Sequence, residues 1–146
     1  MPRILGIDYG QKRFGIALSD DDGEFAFPHE TIAVRGKKHA MSELERICRE
    51  ENVAQVVIGL PLNMDGSAGP MADEVKEFAD WAYKRLDMPI HLWDERLTSA
   101  EVEAAMLAAD LRRDARRNAR DKLAAQRILQ SYLDASGQVD QGQSDA

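Results

Sequence analysis

Within its first 34 residues the chain has three strand-like runs joined by links too short to carry a crossover. Residues 3–9 are mostly apolar and stop at Gly10. Residues 13–19 read Arg-Phe-Gly-Ile-Ala-Leu-Ser, and residues 25–34 form a third run containing Pro28. Gly10-Gln11-Lys12 and Asp20 to Gly23 are turn-rich. A parallel connection needs a dozen or more residues, so these runs are expected to fold back on one another as an antiparallel meander. Pro28 has no N–H for a ladder, which marks the third run as an edge strand.

Beyond the meander, helical and strand patterns alternate. Met41, Leu44, Ile47 and Cys48 give residues 39–51 a helical stripe. Val53 to Gly59 is a β-branched run suited to a buried strand. After a loop over 60–69, Pro70 suits the first position of a helix. Its stripe of Met71, Val75, Phe78, Ala79, Ala82 and Leu86 runs to residue 87. Pro89 to Trp93 is the last strand. Thr98-Ser99-Ala100-Glu101 is a capping box opening a helix to Asp110. An arginine-rich connection leads to a final helix over 119–135. A meander followed by helix-linked strands gives an α/β architecture: a mixed five-stranded sheet, three antiparallel strands plus parallel ones, with helices on its faces. Residues 1–136 are expected to form one domain, and the polar residues 137–146 a disordered tail.

Charged residues make up 31% and hydrophobic ones 44%, the balance of a soluble globular protein. No apolar run approaches the roughly 20 residues of a membrane span, and the N-terminus enters a strand without signal-peptide architecture. A cytoplasmic chain is therefore expected. Its one cysteine, Cys48, falls on an apolar helix face and reads as a buried free thiol. His29, His39 and His91 lack zinc-ligand spacing and read as packing or surface residues. The net charge of −7 works against phosphate binding. Distribution matters more than the total, because Arg112, Arg113, Arg116, Arg117, Arg120 and Lys122 gather in one stretch.

Three acidic positions stand apart. Asp8 closes the apolar run Ile4-Leu5-Gly6-Ile7, where desolvating an unpaired carboxylate is costly; a turn-forming aspartate is the plain alternative. Asp94 and Glu95 close the last strand, and alternation sends them to opposite faces, so one of the two can join a shared site. Their spacing does not choose between them. Asp121 heads the stripe Ala125, Ile128, Leu129 and Tyr132, which places a charge on the side facing the sheet; complementing the helix dipole is the simpler role. Carboxylates from two strand ends and a helix start are hard oxygen ligands suited to Mg²⁺ or Mn²⁺. Two such ions roughly 4 Å apart activate water and stabilise a leaving oxygen in phosphodiester hydrolysis.

Four blocks carry a resemblance. They are Gly6-Ile7-Asp8-Tyr9-Gly10 with Arg13-Phe14-Gly15-Ile16-Ala17; Gly59-Leu60-Pro61-Leu62-Asn63-Met64-Asp65-Gly66; Asp94-Glu95-Arg96-Leu97-Thr98; and Asp121 ahead of Ala124-Ala125-Gln126-Arg127-Ile128-Leu129-Gln130-Ser131-Tyr132-Leu133. Together, over residues 3–135, the chain resembles the YqgF/RuvX family of bacteria, described both as pre-16S rRNA nucleases and as Holliday junction resolvase-like proteins. The resemblance implies a ribonuclease H-like fold, a cytoplasmic location and trimming of the 5′ end of the 16S rRNA precursor. Branched DNA is the alternative substrate. By position it makes Asp8, Glu95 and Asp121 the catalytic, metal-holding triad, and it takes Glu95 over Asp94.

Lys12, Arg13 and Arg96 then flank the acids as candidates to hold the scissile strand. Asn63 and Ser67 in the 59–69 loop join them, with Arg116, Arg117 and Arg120. Nucleic acid and ribosomal assembly intermediates are the implied partners, with no membrane, for a monomer or weak dimer. Ser99 stands where a second threonine is usual. Lys122 follows Asp121 where a small residue is often seen, and it competes as a partner for that carboxylate. Two further readings stay open: a non-catalytic RNA-binding assembly factor, and a phosphate loop like that of actin-like ATPases and sugar kinases, suggested by Asp8-x-Gly10 with Arg13 and Gly15.

Overall fold

The computed structural model describes residues 3–97 and 119–142, with side chains over 123–136 in the second segment. The meander consists of β1 (Arg3–Asp8), β2 (Arg13–Ser19) and β3 (Ala26–Ala33). It is followed by α1 (Lys37–Glu50), β4 (Val53–Leu60), α2 (Pro70–Leu86), β5 (Ile90–Asp94) and a single 3₁₀ turn, Glu95–Leu97. The last described element is α3 (Ala119–Gly142). The sheet runs β3-β2-β1-β4-β5, antiparallel across the meander and parallel from β1 to β4 to β5. This is the mixed five-stranded sheet expected from the patterning. The expected helix over 98–110 and the arginine-rich connection lie outside the described residues.

Local chemistry accounts for most boundaries. Pro70 occupies the first turn of α2, where its missing N–H has no helical partner to lose. Pro28 lies on β3, an edge strand, beside a shift in the β2–β3 register. One boundary differs: α3 continues to Gly142, past the expected end at 135 and into the segment read as a tail. Residues 136–141 contain no proline, and a single interior glycine such as Gly137 costs a helix only about 1 kcal/mol.

Two apolar layers sandwich the sheet. Between the sheet and α1/α2 lie Leu5, Ile7, Phe14, Ile16, Leu44, Ile47, Val56, Ile58 and Phe78. The other layer, against α3, is built of smaller residues: Ala17, Ala26 and Val57 under Ala125, Ile128, Leu129 and Leu133. Glycines let α3 come close on this side. A Cβ at Gly6 would lie 2.8 Å from Leu129 Cβ, and one at Gly59 only 2.5 Å from Ile128 Cδ1.

Cys48 is buried, and desolvation pushes its thiol up to about 11, as suits an inert packing residue. The histidines have structural partners: His91 bonds Gln55 and stacks on Tyr132, His29 meets Glu30, and His39 Nδ1 accepts from the Arg35 N–H. Among the described residues no helix is long and apolar enough to cross a membrane.

Candidate active site

Because β1, β4 and β5 run parallel, their C-terminal ends share one edge of the sheet. Ile7 pairs with Ile58, and Leu60 pairs with Asp94. Side-chain alternation then sorts the exits. Leu5 and Ile7 enter the α1/α2 layer while Gly6 meets α3, so Asp8 stands on the α3 side. On β5, His91 and Trp93 touch Tyr132 of α3, and Glu95 follows two residues on. A Cβ on Gly59 would lie 2.7 Å from Glu95 Oε2 and 3.0 Å from its Cγ. The Glu95 carboxylate therefore rests on bare backbone at the end of β4.

The electrostatics of this corner are uneven. Desolvation, followed by the negative charges of Asp8 and Asp94, pushes the Glu95 carboxyl up to about 7, and Arg127 of α3 offsets part of the rise. Asp94 has the opposite environment. Arg96 grips it in a fork, with Nε 3.1 Å from Oδ1 and Nη2 2.7 Å from Oδ2, and this holds Asp94 below the usual carboxylate range. Arg96 Nη1 also donates to the Met64 carbonyl at 3.1 Å, tying the exit of β5 to the 61–69 loop. Thus Glu95 faces Asp8, and Asp94 is taken up by its neighbour.

The direction of α3 follows from its contacts. Arg127 acts on Glu95, Ser131 bonds Trp93, and Tyr132 stacks on His91, so the helix runs opposite to β5. Its N-terminal end accordingly lies toward the strand exits, and position 121 is one turn before Ala125, whose carbonyl abuts Gly6. The Asp121 side chain lies outside the described residues, as do Arg116, Arg117 and the side chains of Arg120 and Lys122. Among the described residues no group of three His, Cys, Asp or Glu side chains could hold a metal ion. Asp8 and Glu95 supply two carboxylates.

The remaining candidates fall into two groups. Lys12 and Arg13 are exposed beside the exit of β1, where Asp8 pairs with Gly15. Asn63 and Ser67 are engaged within their own loop: Asn63 Nδ2 donates to Ser67 Oγ at 3.0 Å, and Ser67 Oγ donates to Asp65 Oδ1 at 2.6 Å. Two residues not singled out from the sequence also bear on the site. Tyr9, next to Asp8, donates to Glu74 Oε2 at 2.5 Å, and Gln11 donates to the other Glu74 oxygen at 3.1 Å. These bonds pin the β1–β2 turn to α2. No sequence signal joins partners 65 residues apart. Arg127, a third, was missed because helical spacing puts it nearly opposite the apolar stripe of α3.

Residues 2–135 match the RuvX family, described as a Holliday junction resolvase. A protein of Syntrophomonas wolfei, provisionally named a pre-16S rRNA nuclease, is 47% identical over 132 residues, covering 90% of this chain and 94% of the relative. One from Pelotomaculum thermopropionicum with the same provisional name is 44% identical over 136 residues, covering 92% and 88%. Among solved structures, Thermus thermophilus RuvC bound to a Holliday junction superposes with a TM-score of 0.64 at 12% identity, covering 94% of this chain and 97% of that one. The fowlpox virus resolvase gives 0.56 at 10% identity, covering 92% and 98%. At such identities the likeness speaks for the fold, which is ribonuclease H-like.

Proposed function

The chain belongs to the RuvX family, and we propose that it is a nuclease dependent on Mg²⁺ or Mn²⁺, held by Asp8, Glu95 and Asp121. One observation carries this reading. Glu95 rests on Gly59 in a corner it shares with Asp8, and burial first, then the charges of Asp8 and Asp94, raise its proton affinity, so its ionised form needs added positive charge. A hard divalent cation among carboxylate oxygens meets that need, so the donor set fits the metal. When bound, the metal makes water a stronger nucleophile and neutralises charge developing on the phosphate.

The chain's own residues do the rest. Asp8 and Glu95 would hold the ion from the exits of β1 and β5, on either side of Gly59 at the end of β4, and Asp121 would complete the set from the first turn of α3. Arg96 engages Asp94, and Glu95 is the member of that pair that rests on Gly59 in the corner with Asp8. Ile128, packed over Gly59, shields one side of the Glu95 carboxylate from water. Lys12 and Arg13 beside the exit of β1 grip the scissile strand through its phosphates, with Arg116, Arg117 and Arg120 extending the contact. Arg96 is the weaker phosphate candidate, since its guanidinium already serves Asp94 and Met64.

The relatives' provisional names point to the substrate: the 5′ end of the 16S rRNA precursor, processed in the cytoplasm on assembly intermediates by a monomer or weak dimer. Branched DNA is the second reading, favoured by the family's description as a resolvase. The test sets labelled precursor RNA beside a four-way DNA junction, each with Mg²⁺, Mn²⁺ or chelator, using wild type, Asp8→Asn and Asp121→Asn. Metal-dependent cutting lost in both variants supports the triad, and the preferred substrate decides between RNA and DNA. Binding of RNA with no cutting under either metal refutes the nuclease reading for the isolated chain.

A further inference from the structure

Helix α3 lies across the sheet with each flank doing a different job. On one flank Gln126 and Gln130, one turn apart, reach β3. The Ala26 N–H donates to Gln130 Oε1 at 2.8 Å, Gln126 Nε2 donates to the Ala26 carbonyl at 2.9 Å, and Gln130 Nε2 donates to the Glu24 carbonyl at 2.9 Å. On the opposite flank Ser131 Oγ accepts the Trp93 indole N–H at 3.0 Å and donates to the Leu97 carbonyl at 3.1 Å, at the end of the turn that begins with Glu95. Ile128 sits on this side too, crowding Gly59 beside the Glu95 carboxylate. Between the flanks, Ala125 and Leu129 lie on Gly6.

Ala26 belongs to an edge strand, which leaves alternate backbone groups without a strand partner. The two glutamine amides take the place of a missing sixth strand at that residue, meeting both its donor and its acceptor. Such bonds are directional, whereas apolar packing over glycine and alanine tolerates sliding and rolling. Moving α3 by one residue advances it about 1.5 Å and turns it about 100°, which breaks all three bonds.

We infer that Gln126 and Gln130 are positioning residues: by clamping α3 to the edge of β3 they set the depth and rotation at which its far flank meets Glu95. Helix continuity carries the same setting to the first turn, where Asp121 stands. The catalytic consequence rests on the roles proposed for Glu95 and Asp121. The geometric one, transmission from the β3 edge to Trp93 and Leu97, does not. Simple protection of the sheet edge against aggregation would need the same bonds and would leave the far flank untouched.

The test uses the full chain with Gln126→Met and Gln130→Met together, which keeps side-chain length and removes the amides. The folded double variant should shift the Trp93 indole N–H resonance while leaving that of Trp81, in the other layer, in place. Its kcat in Mn²⁺ should fall about tenfold with KM for nucleic acid unchanged, since a misplacement near 1 Å is enough for such losses. Gln126→Glu, which removes one of the three bonds, should move both readouts less and in the same direction. If the double variant fails to fold, this single change decides by the same two measurements. An unmoved Trp93 resonance with kcat intact overturns the inference and leaves edge protection as the role. A wild type that cuts nothing would sink the nuclease reading instead, and the Trp93 resonance would still judge the clamp.

Discussion

In the metal-free chain, ionised Glu95 opposes folding, and the effect grows with pH. Its carboxyl ordinarily titrates near 4.5 and is pushed up to about 7 by burial and by Asp8. Between those values the unfolded chain releases a proton that the folded chain keeps. The stability tied to the neutral form is therefore fully present below 4.5 and is lost as pH rises through 7. A change from 4.5 to about 7 corresponds to about 3.4 kcal/mol at about 1.36 kcal/mol per pH unit. Glu95 is only partly buried, and solvent screening reduces the figure to about 1–2 kcal/mol.

Glu95→Gln keeps the shape and removes the titration. In chelator at pH 8 the variant should be more stable than wild type by about 1–2 kcal/mol, or roughly 3–8 °C in Tm for a chain of this size. At pH 4.5 the two should nearly coincide. Urea denaturation followed by tryptophan fluorescence at both pH values measures the difference. Saturating Mn²⁺ should reverse the order, because the wild type gains binding free energy that the variant has lost. A variant no more stable than wild type at pH 8, or stabilised equally at both pH values, would refute the electrostatic account of this corner.

Two other substitutions probe the frame around Glu95. Gly59→Ala places a methyl 2.5 Å from Ile128 Cδ1 and 2.7 Å from Glu95 Oε2, so it should destabilise by about 1–3 kcal/mol in urea titrations and, by displacing the Glu95 carboxylate, reduce cutting by more than the loss of folded protein. Arg96→Ala removes an exposed fork, so global stability should fall by less than about 1 kcal/mol. Hydrogen exchange should nevertheless quicken in the 61–69 loop that Arg96 ties down, and unchanged protection there would contradict the tether.

Periodicity could not choose between Asp94 and Glu95, because adjacent strand residues always take opposite faces. The resemblance took Glu95, and the structure gives the two acids different surroundings: Gly59 of β4 leaves room for the Glu95 carboxylate, while Arg96, two residues along the chain, turns back on Asp94. Arg96, Asn63 and Ser67 looked like free polar contacts when read along the chain. Folding engages all three with protein partners, within the loop or between it and the exit of β5. The extension of α3 to Gly142 was likewise hidden, because polar composition alone does not end a helix.

What the sequence determined by itself was local: the meander from links too short to cross over, the edge strand from Pro28, the start of α2 from Pro70, and the core faces from periods of two and 3.6. Those features depend on a few neighbouring dihedrals and side chains. Tertiary structure decided the placement of α3 over Gly6 and Gly59, the glutamine clamp at Ala26 and the raised proton affinity of Glu95. Each of these depends on distances between groups far apart in the chain, and only the packed layers set them.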